Sequence, residues 1–397
     1  MAADSLLKTG KHSKYISYRK ILYHRFFVGL LLFIVLTLAV IVLFNGLSGG
    51  APRIEVYEPV NLDRSGPVEV LKDSATAGVR NANCTYWECF NVYRCGRGGH
   101  NKITVYIYPR TDYHTPEGPI SKFSREFYVI LDTIRHSKYY TANPQDACLL
   151  VPSIDTLNQP PNYETVLDLN TGNAIIAGGG FDSWSFRYGF DISIPVYSPI
   201  AAKIDSSQPE EKKYLILSTQ QNIQNDYLQT LQNIASSSND LILLGRCKTQ
   251  SGNIDHSKRC EYKTGRIFNY PDVLKDAMFC LVVRSARLTQ AVLMDVLASQ
   301  CVPIIVADSV VMPFNSHVDW NKIGLFVPEE NLKNVIKIVH SVSKERRGEL
   351  YWQLRWVYEN YFASIQKITL TTLEIINEKV FPLAARSYED WNMPEHL

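Results

Sequence analysis

The chain has 397 residues, 46% of them hydrophobic, and 41 Lys and Arg against 39 Asp and Glu. Six of the basic residues (Lys8, Lys11, Lys14, Arg19, Lys20, Arg25) and one acid, Asp4, fall in the first 25 residues, so a segment of +5 precedes a body of −3 in a chain of net +2. A mildly acidic body argues against general nucleic-acid binding, which needs a basic face, and the apolar content suffices for a packed core.

Phe26–Phe44 reads FFVGLLLFIVLTLAVIVLF, 19 residues without a charge or a proline. At about 1.5 Å per residue a helix there is roughly 28 Å long, enough to cross a hydrocarbon core of about 30 Å. The basic residues before it predict a cytosolic N-terminus and a body on the far side of the membrane. A cleaved signal peptide is the alternative. Its apolar core runs about 7–15 residues, shorter than this one, so an uncleaved signal-anchor is the expectation. Residues 45–80 carry Gly49, Gly50, Pro52, Pro59, Gly66 and Pro67 and read as an extended stem.

The eight cysteines lie in what is then an oxidising compartment, and their even number points to four disulfides among about a hundred ways of pairing them. Preferring short and moderate loops gives Cys84–Cys89, Cys95–Cys148, Cys247–Cys260 and Cys280–Cys301. No CxxC or HxxxH spacing accompanies them, so no metal site is expected. Asn83-Cys84-Thr85 is a glycosylation sequon at Asn83, weakened by its central cysteine.

Beyond the stem the chain alternates. Ile103–Tyr108, Cys148–Val151, Ala174–Ala177 and Ile192–Tyr197 are short apolar runs that end at Pro109, Pro152, Gly178-Gly179-Gly180 and near Pro199. Ser124–Ile134 has helical spacing between the first two. Residues 203–213 are polar and read as a linker. Tyr214–Leu217, Leu241–Leu244, Cys280–Val283, Val302–Ala307 and Leu325–Val327 form a second series, with helical stretches between. Two such series predict an α/β protein with two facing Rossmann-like domains, over 81–210 and 211–345. Residues 346–397 hold a closing helix, about Glu349 to Lys379, with a stripe through Leu350, Leu354, Val357, Tyr361, Ile365, Ile368 and Ile376.

Cys280–Asp308 reads strand, turn, helix, strand, a single βαβ unit. Ligands of such sheets bind at the carboxyl ends of strands. Arg284 and Arg287 flank that turn, and two guanidiniums there suit a diphosphate. The plainer reading is two solvated arginines. Asp295 lies on an apolar helix face and needs a partner, either ribose hydroxyls or one of these arginines. Tyr270 is a candidate for stacking on a base, or a core tyrosine. Asp155, just after the CLLVPS strand, is the candidate general base. Asp182 and Asp308 follow it and read more simply as turn or capping carboxylates. An Asp-x-Asp pair, which holds divalent cation and diphosphate in metal-dependent transferases, occurs nowhere in the chain.

CFNVYRCG (Cys89–Gly96), KITVYIY (Lys102–Tyr108), ACLLVPSIDTLNQ (Ala147–Gln159), AGGGFDSW (Ala177–Trp184), DISIPVYSP (Asp191–Pro199), the CLVVRSARL…CVPIIVADS segment, and TTLEIINEKVFP to SYEDWN resemble the exostosins, the family that polymerises heparan sulfate. The resemblance spans about Cys84 to Asn392. It implies a single-pass type II membrane protein of the Golgi apparatus or endoplasmic reticulum. It also implies an inverting, metal-independent glycosyltransferase module that uses UDP-glucuronic acid, takes a heparan sulfate-type glycan as acceptor and pairs with another exostosin. By matching motif, Tyr270, Arg284, Arg287 and Asp295 fall where relatives hold the sugar nucleotide.

The match has departures. Relatives carry a run resembling R-G-x-R-L-G-S-x-R-x-x-E, where this chain has Ser285 for the glycine, Gln290 for the serine, Val292 for the arginine and Asp295 for the glutamate. The loss of a guanidinium at Val292 weakens a diphosphate site by about 1.5–3 kcal/mol per charge-assisted hydrogen bond. That leaves a second expectation, a catalytically weak subunit that stabilises a partner exostosin. A family segment is missing between Gln159 and Pro160, and a second, metal-dependent transferase domain follows this module in relatives, beyond the point where this chain stops.

Overall fold

The computed structural model describes residues 81–393 apart from 97–100, 111–113, 116–117, 120–122, 156–171, 206, 210, 222, 250–251 and 285–290. The expected anchor at 26–44 and the stem lie outside the described residues. Among the described residues no helix is long and apolar enough to cross a membrane. All of them fall within one compact unit, Asp73–Leu397.

The largest element is a seven-stranded sheet. Its parallel part consists of β5 (Tyr214–Ser218), β6 (Leu241–Lys248), β9 (Ala277–Val283), β10 (Val302–Val306) and β11 (Leu325–Phe326), in the spatial order β6-β5-β9-β10-β11. The central strands are apolar runs because both faces are covered. Phe279, Leu281 and Val283 of β9 and Ile304 and Val306 of β10 pack in one cluster, Cys280, Val282 and Ile305 in another. Register is regular, with Phe279 opposite Val302 and Val283 opposite Val306. The helix α2 (Asn225–Ser237) links β5 to β6 and buries Leu231 and Ala235, and α3 (Val292–Ala298) links β9 to β10 with every residue buried.

Two strands that periodicity did not announce extend this sheet. β7 (Ile254–Glu261) runs antiparallel beside β6, and β8 (Ile267–Asn269) antiparallel beside β7 at the sheet edge. Their sequence, IDHSKRCE and IFN, is mostly polar because most of these positions face water. β6 is correspondingly longer than its apolar run Leu241–Leu244, since Gly245–Lys248 continues as a partner for β7.

The first half is built differently. Its short apolar runs give two separate parallel pairs, β1 (Val105–Ile107) with β2 (Leu149–Val151), and β3 (Ala177–Gly178) with β4 (Ile192–Ser193). The expected continuous sheet is absent among the described residues. Strands of two or three residues, stopped by Gly179, Gly180, Pro152 and Pro195, offer too few ladder bonds to be extended. The helix α1 (Arg125–Arg135) starts at Ser124, whose hydroxyl accepts from Phe127 N at 3.2 Å, and it buries Leu131 and Ile134.

The closing helix is also divided. After α4 (Val335–His340) come α5 (Lys344–Val357), a π-helical turn at Tyr358–Phe362, and α6 (Ile365–Val380). Ser364 breaks the run: its backbone is extended and its hydroxyl caps α6 by accepting from Lys367 N. The expected stripe is still the buried one through Leu350, Leu354, Val357, Tyr361 and Ile376. A last helix, α7 (Tyr388–Asn392), carries a capping box between Ser387 and Asp390.

All four expected disulfides form: Cys84–Cys89, Cys95–Cys148, Cys247–Cys260 and Cys280–Cys301. Cys247–Cys260 ties β6 to β7, and Cys280–Cys301 ties β9 to the start of β10. Asn83 is exposed beside the first of them.

Candidate active site

The parallel strands end along one edge, where ligands of such sheets bind. Ser218, Thr219 and Gln220 follow at the end of β5 and are all buried. Gln220 is a clamp between strands: its amide donates to Val283 O at 2.7 Å and accepts from Val283 N at 2.9 Å. The hydroxyl of Ser218 has no hydrogen-bond partner among the described residues. A buried hydroxyl without a partner costs about 1–3 kcal/mol.

Arg284 stands at the end of β9, one of the positions where the sequence expects a phosphate ligand. Its guanidinium is one-third exposed, lies 2.9 Å from the Glu329 carboxylate and donates to the Tyr227 hydroxyl at 3.0 Å. Its Nε is buried without a partner. The Tyr227 bond and the Glu329 charge outweigh burial and raise its pKa further. Tyr227 in turn donates to Glu329, and Glu329 exchanges backbone bonds with Asp308 through both residues' carboxylates. Asp308 thus serves a turn at the end of β10. Arg287 lies outside the described residues.

Tyr270 and Asp295, also singled out from sequence, are brought together. The Tyr270 hydroxyl donates to one Asp295 oxygen, and the Ser198 hydroxyl donates to the other. The Arg259 guanidinium, on β7, lies 3.8 Å from the centre of the Tyr270 ring. Burial raises the Asp295 pKa, against the pull of Ser198, Tyr270 and Arg259. Burial and the neighbouring carboxylate raise that of Tyr270, and burial lowers that of Arg259. A carboxylate with both oxygens engaged and 3% exposure holds the chain together here; its bond to Ser198 joins α3 to the first half.

Asp155 is 0% exposed and accepts from Ser124 N at 2.6 Å, at the start of α1. Asp182 accepts from Trp184 N and Ser185 N and shapes a turn. Gln220, Tyr227, Arg259 and Glu329 escaped the sequence reading. Their partners are 63, 57, 11 and 102 residues away, for the pairs Gln220–Val283, Tyr227–Arg284, Arg259–Tyr270 and Tyr227–Glu329. No local spacing announces them.

Beside Gln220 the edge opens into a cavity of about 350 Å³, lined among others by Gln221, Gly245, Arg246 and Tyr262. Arg246 donates to Gln221 at 2.8 Å. Gly245 must be glycine for space: a Cβ there would lie 2.7 Å from the Tyr262 ring.

An arginine, a buried hydroxyl without a partner and a cavity lie along the carboxyl edge of the parallel sheet. Residues 159–342 match the Exostosin GT47 domain, and over this module the chain belongs to the exostosin family. It is 40% identical over 366 residues to Exostosin-2 of Bos taurus, a match covering 82% of this chain and 51% of that protein. It is 28% identical over 390 residues to Exostosin-1 of Drosophila melanogaster, covering 84% of this chain and 50% of that one. The chain therefore spans about half the length of these relatives. Among solved structures, the pneumococcal O-GlcNAc transferase GtfA in complex with UDP and GlcNAc is similar at a TM-score of only 0.30 and 13% identity, over 50% of this chain and 42% of that one.

Proposed function

We propose that this chain is a glycosyltransferase module of heparan sulfate biosynthesis, of hexosyl or glucuronosyl type, with two facing lobes of GT-B type. A UDP-sugar, UDP-glucuronic acid in the first place, lies along the carboxyl edge of the large sheet. The observation that carries the reading is Arg284: a partly exposed guanidinium at the end of β9, on the same sheet edge where the neighbouring β5 ends in the buried Ser218 hydroxyl. In the inverting transfer an acceptor hydroxyl gives its proton to solvent water as its oxygen bonds to C1 of the donor sugar. The bond from C1 to the diphosphate breaks, and UDP leaves with the electron pair. Arg284 turns from Glu329 to the leaving diphosphate, and Arg287 joins it by motif. The lack of an Asp-x-Asp pair in the sequence supports transfer without a metal cofactor. We assign Asp155 to seating α1, since its buried carboxylate already holds the Ser124 amide; Asp295 supports the wall behind Tyr270.

The signal-anchor at 26–44 puts this body in the lumen of the Golgi apparatus or endoplasmic reticulum as a single-pass type II protein. The acceptor is a heparan sulfate-type glycan, and another exostosin is the partner in a hetero-complex.

One observation favours a second reading. Val292, where the family motif has an arginine, is buried, and both Asp295 oxygens are occupied. A site with these ligands withdrawn suits a catalytically weak subunit that stabilises its partner. Calorimetry on the full chain separates the two. Heat of binding at micromolar UDP or UDP-glucuronic acid, lost in Arg284→Ala, supports the enzyme. Silence at millimolar ligand overturns it, and co-elution with a co-expressed exostosin then supports the subunit role.

A further inference from the structure

The loop after β10 and the edge strand β11 enclose a second cavity, of about 510 Å³, which shares no lining residue with the Arg284 cluster. That size lies within the range of about 300–1,000 Å³ typical of small-ligand pockets. Three aromatic side chains line it with their surfaces in water: Tyr188 is 63% exposed, Tyr388 49% and Phe326 43%. Between them lie Asn315 and Asn321, both exposed, whose side-chain amides have no hydrogen-bond partner among the described residues. An amide presents both donors and acceptors. Aromatic faces beside free amides match a pyranose ring, which is apolar on its C–H face and ringed by hydroxyls.

The charge of the pocket narrows the ligand. No Lys or Arg lines it, its carboxylate is Asp319, and the ring nitrogens of its one histidine, His317, are taken by Ser316 at 2.8 Å and by Glu378 at 3.3 Å. The nearby Lys322 ammonium is engaged over the Tyr388 ring, 4.9 Å from its centre. An anionic ligand, such as a uronate, a sulfate or a diphosphate, would meet Asp319 without a lining cation to pair with.

The walls are fixed before any ligand arrives. Tyr388 donates to Asp319, and Trp320 Nε1 donates to Pro313 O at 2.8 Å. Phe314, immediately before Asn315, has φ +52°, a conformation that non-glycine residues seldom adopt. It is held there by a bond from its N–H to Ser193 O at 2.7 Å and by stacking on Phe362. The turn this makes carries Asn315 out to the pocket.

We propose that this cavity binds an uncharged pyranose, with Tyr188, Phe326 and Tyr388 as stacking surfaces and Asn315 and Asn321 as hydrogen-bonding groups. In a glycan that alternates uronate and hexosamine, the pocket would select the neutral unit; that placement, but not the binding itself, rests on the transfer reading.

Saturation-transfer NMR on the full chain, with methyl N-acetylglucosaminide and methyl glucuronide as probes, tests this. The neutral glycoside should receive saturation and bind about tenfold more tightly than the uronide. Asn315→Ala and Phe326→Ser should each weaken it severalfold at an unchanged melting temperature. No transfer to the neutral sugar, equal or stronger binding of the uronide, or a signal that survives both substitutions overturns the proposal. If UDP calorimetry is silent while this signal stands, the transfer reading alone fails; the reverse pattern sinks the pocket alone.

Discussion

The two halves of the described chain are held together by different means. In residues 214–327 long apolar strands lie side by side, and β9 and β10 are buried almost throughout. In residues 81–204 the strands are two or three residues long, and a buried ion pair works beside apolar side chains such as Val105, Leu131 and Phe190. Arg187 and Asp191 sit at 5% and 0% side-chain exposure, 2.6 Å apart. Arg187 also donates to Asn81 O and Ala174 O, and Asp191 accepts from Ile176 N. One buried pair thus gathers three separate stretches of chain. Where sequence supplies ladder length, burial suffices; where it does not, directional charge joins it, and the loss of one partner becomes severe.

Arg187→Ala is accordingly the most damaging change expected, at about 3–5 kcal/mol, because it takes the guanidinium away from the buried Asp191 carboxylate. Denaturant melts of the purified protein measure it, and a loss under about 1 kcal/mol would break the contrast. Leu281→Ala, in the centre of β9, removes packing alone and should cost about 2–4 kcal/mol. Its cost should not change with pH, which distinguishes an apolar half from a charged one.

The pH dependence sharpens the comparison at the C-terminus. Burial opposes the charge on Glu378, but hydrogen bonds from His317, Arg386 and Trp391 outweigh it and bring its pKa down to about 2 from 4.5. The folded pKa is depressed, so the stabilisation is whole above about pH 5 and drains as pH falls towards 2, on the order of 3 kcal/mol in all. In Glu378→Gln this acid limb should flatten, as read from melting temperatures between pH 6 and 3. The smallest effect belongs to the junction of the halves. Asp295→Asn keeps an acceptor for one of Ser198 and Tyr270, and should cost about 1–2 kcal/mol.

The sequence made the second half legible because its strands are long apolar runs punctuated by glycine and proline. The disulfides were legible because each closes a short or moderate loop, and α1 because Ser124 stands at its N-cap. β7 and β8 were hidden by polar residues on water-facing strands, where hydrophobic periodicity carries no signal. The closing helix was overextended because its stripe keeps phase through the π-helical turn, although Ser364 breaks the backbone. At the site, Arg284, Tyr270 and Asp295 were recognisable as candidates, but their partners were not. Glu329 holds Arg284 and Ser198 holds Asp295 across long stretches of chain. Tertiary contacts of that kind leave no spacing to read.

The central claim is that the carboxyl edge of the large sheet hands a sugar from UDP to a glycan with Arg284 on the diphosphate. The most direct measurement is transfer of labelled glucuronic acid from UDP-glucuronic acid to an oligosaccharide ending in N-acetylglucosamine, by the full chain. Incorporation that falls about ten- to a hundredfold in Arg284→Ala is the expected result. No incorporation above an enzyme-free control, or incorporation that Arg284→Ala leaves intact, would contradict it.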